Sequence, residues 1–146
     1  MSRIVVFDID GTLANVDHRR QWINSKPKNW KAWNAAMHLD QPNEDIVQLS
    51  KDFGSLGYTV LCCSGRGSDT RIVTTNWLNK HGVPFKTLYM RAAKDYRKDS
   101  IVKVELLQEI RKDYGEPWMW FDDRQQVVDA IRVEGIRVCQ VAPGDF

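Results

Sequence analysis

The sequence predicts an α/β fold, a doubly wound parallel sheet of the Rossmann-like kind, and three observations carry that expectation. Short strand-like apolar runs recur at Ile4 to Phe7, Tyr58 to Cys63, Thr87 to Met90, Trp118 to Phe121 and Val138 to Val141. The clearest of them are unbroken rather than alternating, which suits strands buried on both faces. Between the runs lie segments whose apolar residues recur at helical spacing, and strand-helix alternation implies parallel pairing through crossover helices. At 146 residues the chain is one domain with enough length for a substantial core.

The first strand, Ile4 to Phe7, runs directly into Asp8-Ile9-Asp10-Gly11-Thr12. The composition then changes. Trp22, Trp30 and Trp33 are interleaved with Arg19, Arg20, Lys26, Lys28 and Lys31, and Pro27 and Pro42 punctuate the stretch. This predicts two short helical pieces in a small cap insertion at about 15–43, standing over the first strand's end. Its tryptophans either anchor the excursion to the main body or stack on a base or sugar. Glu44 to Leu56 reads as a helix with Ile46, Leu49, Phe53 and Leu56 on one face, acids in its first turn and Gly57 beyond its end. The strand Tyr58 to Cys63 then ends in Ser64-Gly65-Arg66-Gly67. Asp69 to His81 is the next helix, with Val73 and Trp77 inward and Gly82-Val83-Pro84 as its stop. Thr87 to Met90 is a short strand, and Arg97-Lys98-Asp99 leads into a helix reaching about Tyr114. The strand Trp118 to Phe121 ends in Asp122-Asp123-Arg124; a last helix to Glu134 and Gly135 precede the closing strand.

Composition narrows the function classes. A formal net charge of +2 gives no global field that would announce a nucleic-acid or membrane partner, so any anion site is local. Cys62, Cys63 and Cys139 have no paired spacing and read as buried thiols of a reducing compartment. Arg3 is followed by too short an apolar run for a signal peptide, so the expected location is cytoplasmic, with no membrane partner. His18, His38 and His81 are scattered and suggest no metal site.

Two carboxylates at the end of a buried strand repel each other and resist desolvation, and a hard divalent cation with oxygen ligands completes them. Asp-x-Asp-Gly also opens calcium loops, but the position for the closing bidentate glutamate holds Arg19. Gly11 permits a sharp turn, and Thr12 can offer its hydroxyl or amide to an anion. Doubly wound sheets bind ligands outside the carboxyl ends of their strands. The polar groups after the first, second and fourth strands fall at that edge: Asp8, Asp10, Ser64, Arg66, Asp122, Asp123 and Arg124, with Lys98 beside them.

In this order the motifs resemble the haloacid dehalogenase superfamily of phosphatases: Asp8-x-Asp10-Gly-Thr, Ser64 at a strand end, Lys98, then Asp122-Asp123. Ser64-Gly65-Arg66, Arg97-Lys98-Asp99, Asp122-Asp123-Arg124, Gln126-Val127-Val128 and the closing Gln140-Val141-Ala142-x-Gly144-Asp145-Phe146 are similar to the 3′-phosphatase domains of bacteriophage polynucleotide kinase-phosphatases. The resemblance implies a Mg²⁺-dependent phosphatase that removes 3′-terminal phosphates from polynucleotides through an aspartyl-phosphate. Asp8 is then the nucleophile, ionised without help from a base. Asp10 is the acid and later the base, a role that requires an upward pKa shift. Ser64 and Lys98 complete the catalytic set.

Mg²⁺ would be held by Asp8, the carbonyl of Asp10 and one of the late acid pair. Spacing leaves Asp122 and Asp123 equivalent; the resemblance favours Asp123 as the direct ligand. Thr12, Gly65, Arg66 and Arg124 are candidates for substrate contact, although Arg124 also suits pairing with an acid. Arg19 falls at the family's spacing for a substrate arginine. Alternatives are a phosphatase of nucleoside 5′-monophosphates or other small phosphomonoesters, and a non-catalytic phospho-acceptor module of the receiver kind. Receivers, however, place their acid pair after the first strand. The sequence holds no Gly-x-x-x-x-Gly-Lys-Ser/Thr loop and so cannot supply 5′-kinase activity itself; a separate kinase or ligase is a candidate partner, besides nucleic-acid 3′-phosphate ends or nucleotides as substrate.

Overall fold

Val5, Val6 and Phe7 are wholly buried because their strand, β1 (Ile4–Phe7), lies at the centre of a sheet. The computed structural model describes residues 2–146. Two short strands, β2 (Ala14–Asn15) and β3 (Gln41–Pro42), form an antiparallel ribbon of their own. The others are β4 (Thr59–Gly67), β5 (Thr87–Arg91), β6 (Met119–Asp122) and β7 (Val138–Gln140), which join β1 in a five-stranded parallel sheet of order β5-β4-β1-β6-β7. From β1 the chain first builds outward through β4 and β5, then returns to the other side for β6 and β7. The switch point is therefore at the carboxyl ends of β1, β4 and β6.

Helices cover both faces. Phe7 stacks on Phe121 at 4.6 Å, and Val47, Phe53, Trp77 and Leu78 pack over that side from α3 (Glu44–Ser55) and α4 (Arg71–Lys80). On the opposite face Val6, Leu61, Cys63 and Trp120 meet Val102, Leu106, Leu107 and Ile110 of α5 (Asp99–Asp113), and Val127, Val128 and Ile131 of α6 (Gln125–Val133). The two-sided apolar cover explains the unbroken strand runs. Cys62, Cys63 and Cys139 are free thiols.

The ribbon closes the excursion expected at 15–43, pairing Ala14 with Pro42 and Asn15 with Gln41. Between its strands lie α1 (Gln21–Asn24) and α2 (Trp30–Ala35), each flanked by a 3-10 turn. Trp33 is buried and Trp22 packs against the core, whereas Trp30 is 54% exposed. β4 continues beyond the apolar run through Ser64-Gly65-Arg66-Gly67, which the sequence places after the strand. Its pairing with β5 is irregular between Ser64 and Gly67, and the Arg91 side chain holds the Gly65 carbonyl at 2.8 Å. No described helix is long and apolar enough to cross a membrane.

Candidate active site

Sheet register assembles the acids. Phe7 pairs with Phe121, so the next residues, Asp8 and Asp122, emerge side by side, and the Asp8 amide donates to the Phe121 carbonyl at 2.9 Å. Gly11, at φ 81°, turns the chain back and brings its Cα against Asp123; a Cβ there would collide with the Asp123 carboxylate. Asp8, Asp122 and Asp123, all buried, each present an oxygen within 4.8 Å of the others.

The cation inside this group is Lys103. Its Nζ donates to Asp8 Oδ1 at 2.7 Å and to Asp122 Oδ2 at 2.9 Å, and lies 3.9 Å from Asp99. Burial alone would lower the Lys103 pKa, but Asp122 and Asp8 outweigh it and hold the ammonium protonated. This corrects the expectation for Lys98. That residue is the exposed cap before α5 and is not brought to the cluster, because the buried stripe of the helix begins further on. Lys103 follows Val102 and lies one turn before Leu107, on the side that faces the sheet.

Three carboxylates around one ammonium leave two negative charges uncompensated, matching one divalent cation. The donor set is all oxygen, which suits Mg²⁺. Asp122 is already engaged: Lys103 and the Trp120 indole reach Oδ2, and the Arg124 amide reaches Oδ1 at 3.1 Å. Asp123 has no cationic partner among the described residues. Burial and the Asp122 charge push its pKa up to about 6, and burial likewise raises Asp8 well above its ordinary value. Between the ordinary 3.8 and about 6 the folded, metal-free protein therefore binds more protons than the unfolded chain, and it loses stability as pH rises through that window. A divalent cation replaces those protons. Mg²⁺ is accordingly expected to raise the thermal midpoint more at about pH 7.5 than at about pH 5; an equal shift in melting scans at both would contradict a metal bound by these acids.

Asp10 lies at the mouth, its side chain 28% exposed, and here the structure reverses an expectation. Burial pushes its pKa upward, but the guanidinium groups of Arg66 and Arg19 outweigh that effect and hold it below the ordinary carboxylate range. Oδ1 accepts from Arg66 Nε at 3.0 Å, Arg66 Nη2 at 2.6 Å and Arg19 Nη2 at 2.9 Å. The upward shift expected for Asp10 from burial or neighbouring carboxylates is overridden because its neighbours are cations, Arg19 nine residues on and Arg66 from β4.

The remaining candidates divide. Arg19 and Arg66 are buried and share Asp40, a residue that sequence reasoning did not single out. Ser64 is buried beside β1; its Oγ accepts from the Arg66 amide at 3.0 Å, which leaves its proton to donate. Gly65 passes so close to Asp99 that a side chain there would meet the carboxylate. Thr12 is not placed as an anion ligand: its hydroxyl donates to Asp8 Oδ2 at 3.1 Å and its amide to the Ile9 carbonyl. Arg124 Nη1 lies 3.5 Å from Asp99 and its Nε donates to the Phe146 carbonyl at 2.9 Å, while the side chain stays 31% exposed.

The polynucleotide kinase PNKP phosphatase domain family matches residues 2–146 of this chain. Among solved structures, the chain is similar to one in the Pnkp1/Rnl/Hen1 complex, with 33% identity and a TM-score of 0.84 over 100% of this chain and 48% of the other. A second structure, of the Pnkp1/Rnl/Hen1 RNA repair complex, matches at 33% identity and TM-score 0.83, over 100% of this chain and 44% of that one. The chain thus spans about half the length of these relatives. The class C acid phosphatase from Bacillus anthracis with tungstate bound shares the fold at TM-score 0.71 and 16% identity, covering 99% of this chain and 68% of that one.

Proposed function

Since this chain belongs to the polynucleotide kinase PNKP phosphatase domain family, and so is a phosphoric monoester hydrolase of the haloacid dehalogenase type, we propose that it removes 3′-terminal phosphates from polynucleotides with Mg²⁺ and an aspartyl-phosphate intermediate. The observation that carries this reading is the pairing of Asp8 with Asp122 and Asp123 around Lys103, at the sheet's switch point.

The Asp8 carboxylate attacks phosphorus, the bond to the leaving 3′-oxygen breaks, and Asp10 supplies that oxygen with a proton. Asp10 then takes a proton from water, the water oxygen attacks phosphorus, and Asp8 is released with inorganic phosphate. When bound, Mg²⁺ would offset the phosphoryl charge and keep the acids ionised, with Asp8, Asp123 and the Asp10 carbonyl as its ligands. Lys103 keeps Asp8 oriented through Oδ1 and Thr12 through Oδ2. The Ser64 hydroxyl and the buried guanidinium groups of Arg19 and Arg66 would meet phosphoryl oxygens. A dianionic phosphoryl group at the two arginines also offsets their field at Asp10, which moves its pKa toward the value an acid requires.

The excursion over the site is short, and Asp10 remains partly exposed at its mouth, which suits the end of a polymer. The relatives in the RNA repair complex support nucleic acid as substrate and a ligase as partner. A magnesium assay on a 3′-phosphorylated oligonucleotide, a mononucleotide 3′-phosphate and nucleoside 5′-monophosphates tests the reading. Preference for the oligonucleotide by at least about tenfold in kcat/KM is expected, equal to about 1.4 kcal/mol of extra transition-state binding. Preference for the 5′-monophosphates would replace it with a small-nucleotide phosphatase.

A further inference from the structure

The segment after β7 turns back over the mouth of the site. The Gly144 carbonyl accepts from the amides of Gln125 and Phe146, each at 2.9 Å, and a Cβ at Gly144 would collide with the Asp123 backbone. The Phe146 carbonyl accepts from Arg124 Nε at 2.9 Å and from Gln126 Nε2 at 3.2 Å. The Phe146 backbone is therefore held on both sides, yet its ring stays 54% exposed. Two guanidinium groups from separate elements approach that ring. Arg124, next to Asp123, lies 5.0 Å from its centroid, and Arg20, next to Arg19 of the excursion, lies 5.5 Å from it. Arg124 also reaches to within 3.5 Å of Asp99, which is 3.9 Å from the Lys103 ammonium held on Asp8. Two side chains thus separate the ring from the Lys103–Asp8 pair. A fixed, half-exposed ring among cations has the chemistry that stacks a base beside a phosphodiester.

We propose that Phe146 and Arg20 form the subsite for the nucleotide that carries the 3′-phosphate. The ring stacks on its base, and the guanidinium meets the phosphodiester on its 5′ side. This rests on the reading that the chain dephosphorylates polynucleotide 3′-ends. A sugar separates the terminal base from its 3′-phosphate, so a platform for the base belongs at the mouth rather than beside the acids. Arg20 has donors to spare. Among the described residues its one hydrogen bond runs from Nε to Asp17 at 2.9 Å, an exposed pair, which leaves both terminal nitrogens for a ligand. The net charge of +2 gives no general attraction for a polyanion, so grip on a polymer has to come from local contacts such as these. Every base has a face to stack, so the subsite holds an end without reading its sequence. It contributes nothing toward a phosphate ester that lacks a nucleoside.

The experiment compares wild type, Phe146→Ala, Phe146→Trp and Arg20→Ala on three substrates with Mg²⁺. These are a 3′-phosphorylated oligonucleotide, the same oligonucleotide with an abasic terminal residue, and a chromogenic phosphate ester. Phe146→Ala is expected to lower kcat/KM about tenfold on the first, mainly through KM, and to stay within about twofold of wild type on the other two. Phe146→Trp should keep the wild-type rate on the oligonucleotide, because its larger ring still stacks. Arg20→Ala should weaken both oligonucleotides but not the ester, and should flatten the slope of log kcat/KM against log salt by about 0.7. Equal losses on all three substrates would make Phe146 a latch for the excursion and overturn the inference. So would the same loss with and without the terminal base, no loss at all, a Phe146→Trp variant as impaired as Phe146→Ala, or an unchanged salt slope in Arg20→Ala. If wild type itself does not prefer the oligonucleotide to the ester, the failure belongs to the polynucleotide reading, and the inference falls with it. Should Phe146→Ala not accumulate as folded protein, Phe146→Leu keeps apolar bulk without the ring, and the same base-dependent loss of about tenfold is expected. Wild-type rates in that variant overturn the inference too.

Discussion

Lys103→Met is expected to lower the thermal midpoint of the metal-free protein by roughly 10 °C, the response of a chain of this size to losing about 3–5 kcal/mol. The ammonium is buried and bridges Asp8 to Asp122, so an apolar replacement leaves two carboxylates in contact without compensation. Removing one partner of a buried ion pair is far more damaging than removing both. Turnover should fall by about 10³-fold as well, as when one donor is deleted from a pre-organised anion site. Lys98→Met is the contrasting variant. With its side chain exposed and outside the cluster, it should keep the wild-type midpoint and rate. Similar losses in both variants, read by melting scans and steady-state kinetics, would return the catalytic lysine to position 98.

Asp8→Asn has the largest expected effect on rate, a loss of about 10⁴-fold or more in kcat, as for deletion of a covalent nucleophile elsewhere. The amide has nearly the same size and still accepts from Lys103, so the fold is retained. Two further signatures separate this outcome from misfolding. Acid-quenched wild-type enzyme should carry one covalent phosphate by mass, whereas the variant carries none. The stabilisation by Mg²⁺ should also shrink, because one of three clustered carboxylates is gone. A variant that turns over normally would remove Asp8 as nucleophile.

The sheet was legible because its central strands, β1, β4 and β6, carry continuous apolar runs closed by polar residues, a pattern set by two-sided burial. The acids were legible for the same reason: a buried strand that ends in carboxylates stands out locally. Lys103 was not, because the family's motif order pointed to Lys98 in Arg97-Lys98-Asp99, while Lys103 is a single cation within an apolar helix stripe. A lysine between Val102 and Leu106 is nonetheless a readable signal, since a charge on the buried side of a helix requires a partner. Asp40 left no such trace. Its partners, Arg19, Arg66 and Trp77, come from separate elements, and nothing in Leu39-Asp40-Gln41 foretells their convergence. The sign of the Asp10 shift escaped too: it is decided by Arg66, distant in sequence, together with Arg19 nine residues on.

The ribbon that pairs Ala14 with Pro42 and Asn15 with Gln41 brings the two ends of the excursion together at the base. A segment whose ends already meet can change length at little entropic cost, since each doubling of a closed loop adds only about 0.6 kcal/mol. Changes of length between those four residues are therefore tolerable where they leave Trp33 in the core and Asp40 on Arg66 of β4. The same module, however, brings Arg19 to Asp10, so exchanging it would exchange part of the pocket wall. Variation in what this scaffold accepts has a ready place to occur, one where new shapes can be tried without refolding the catalytic floor.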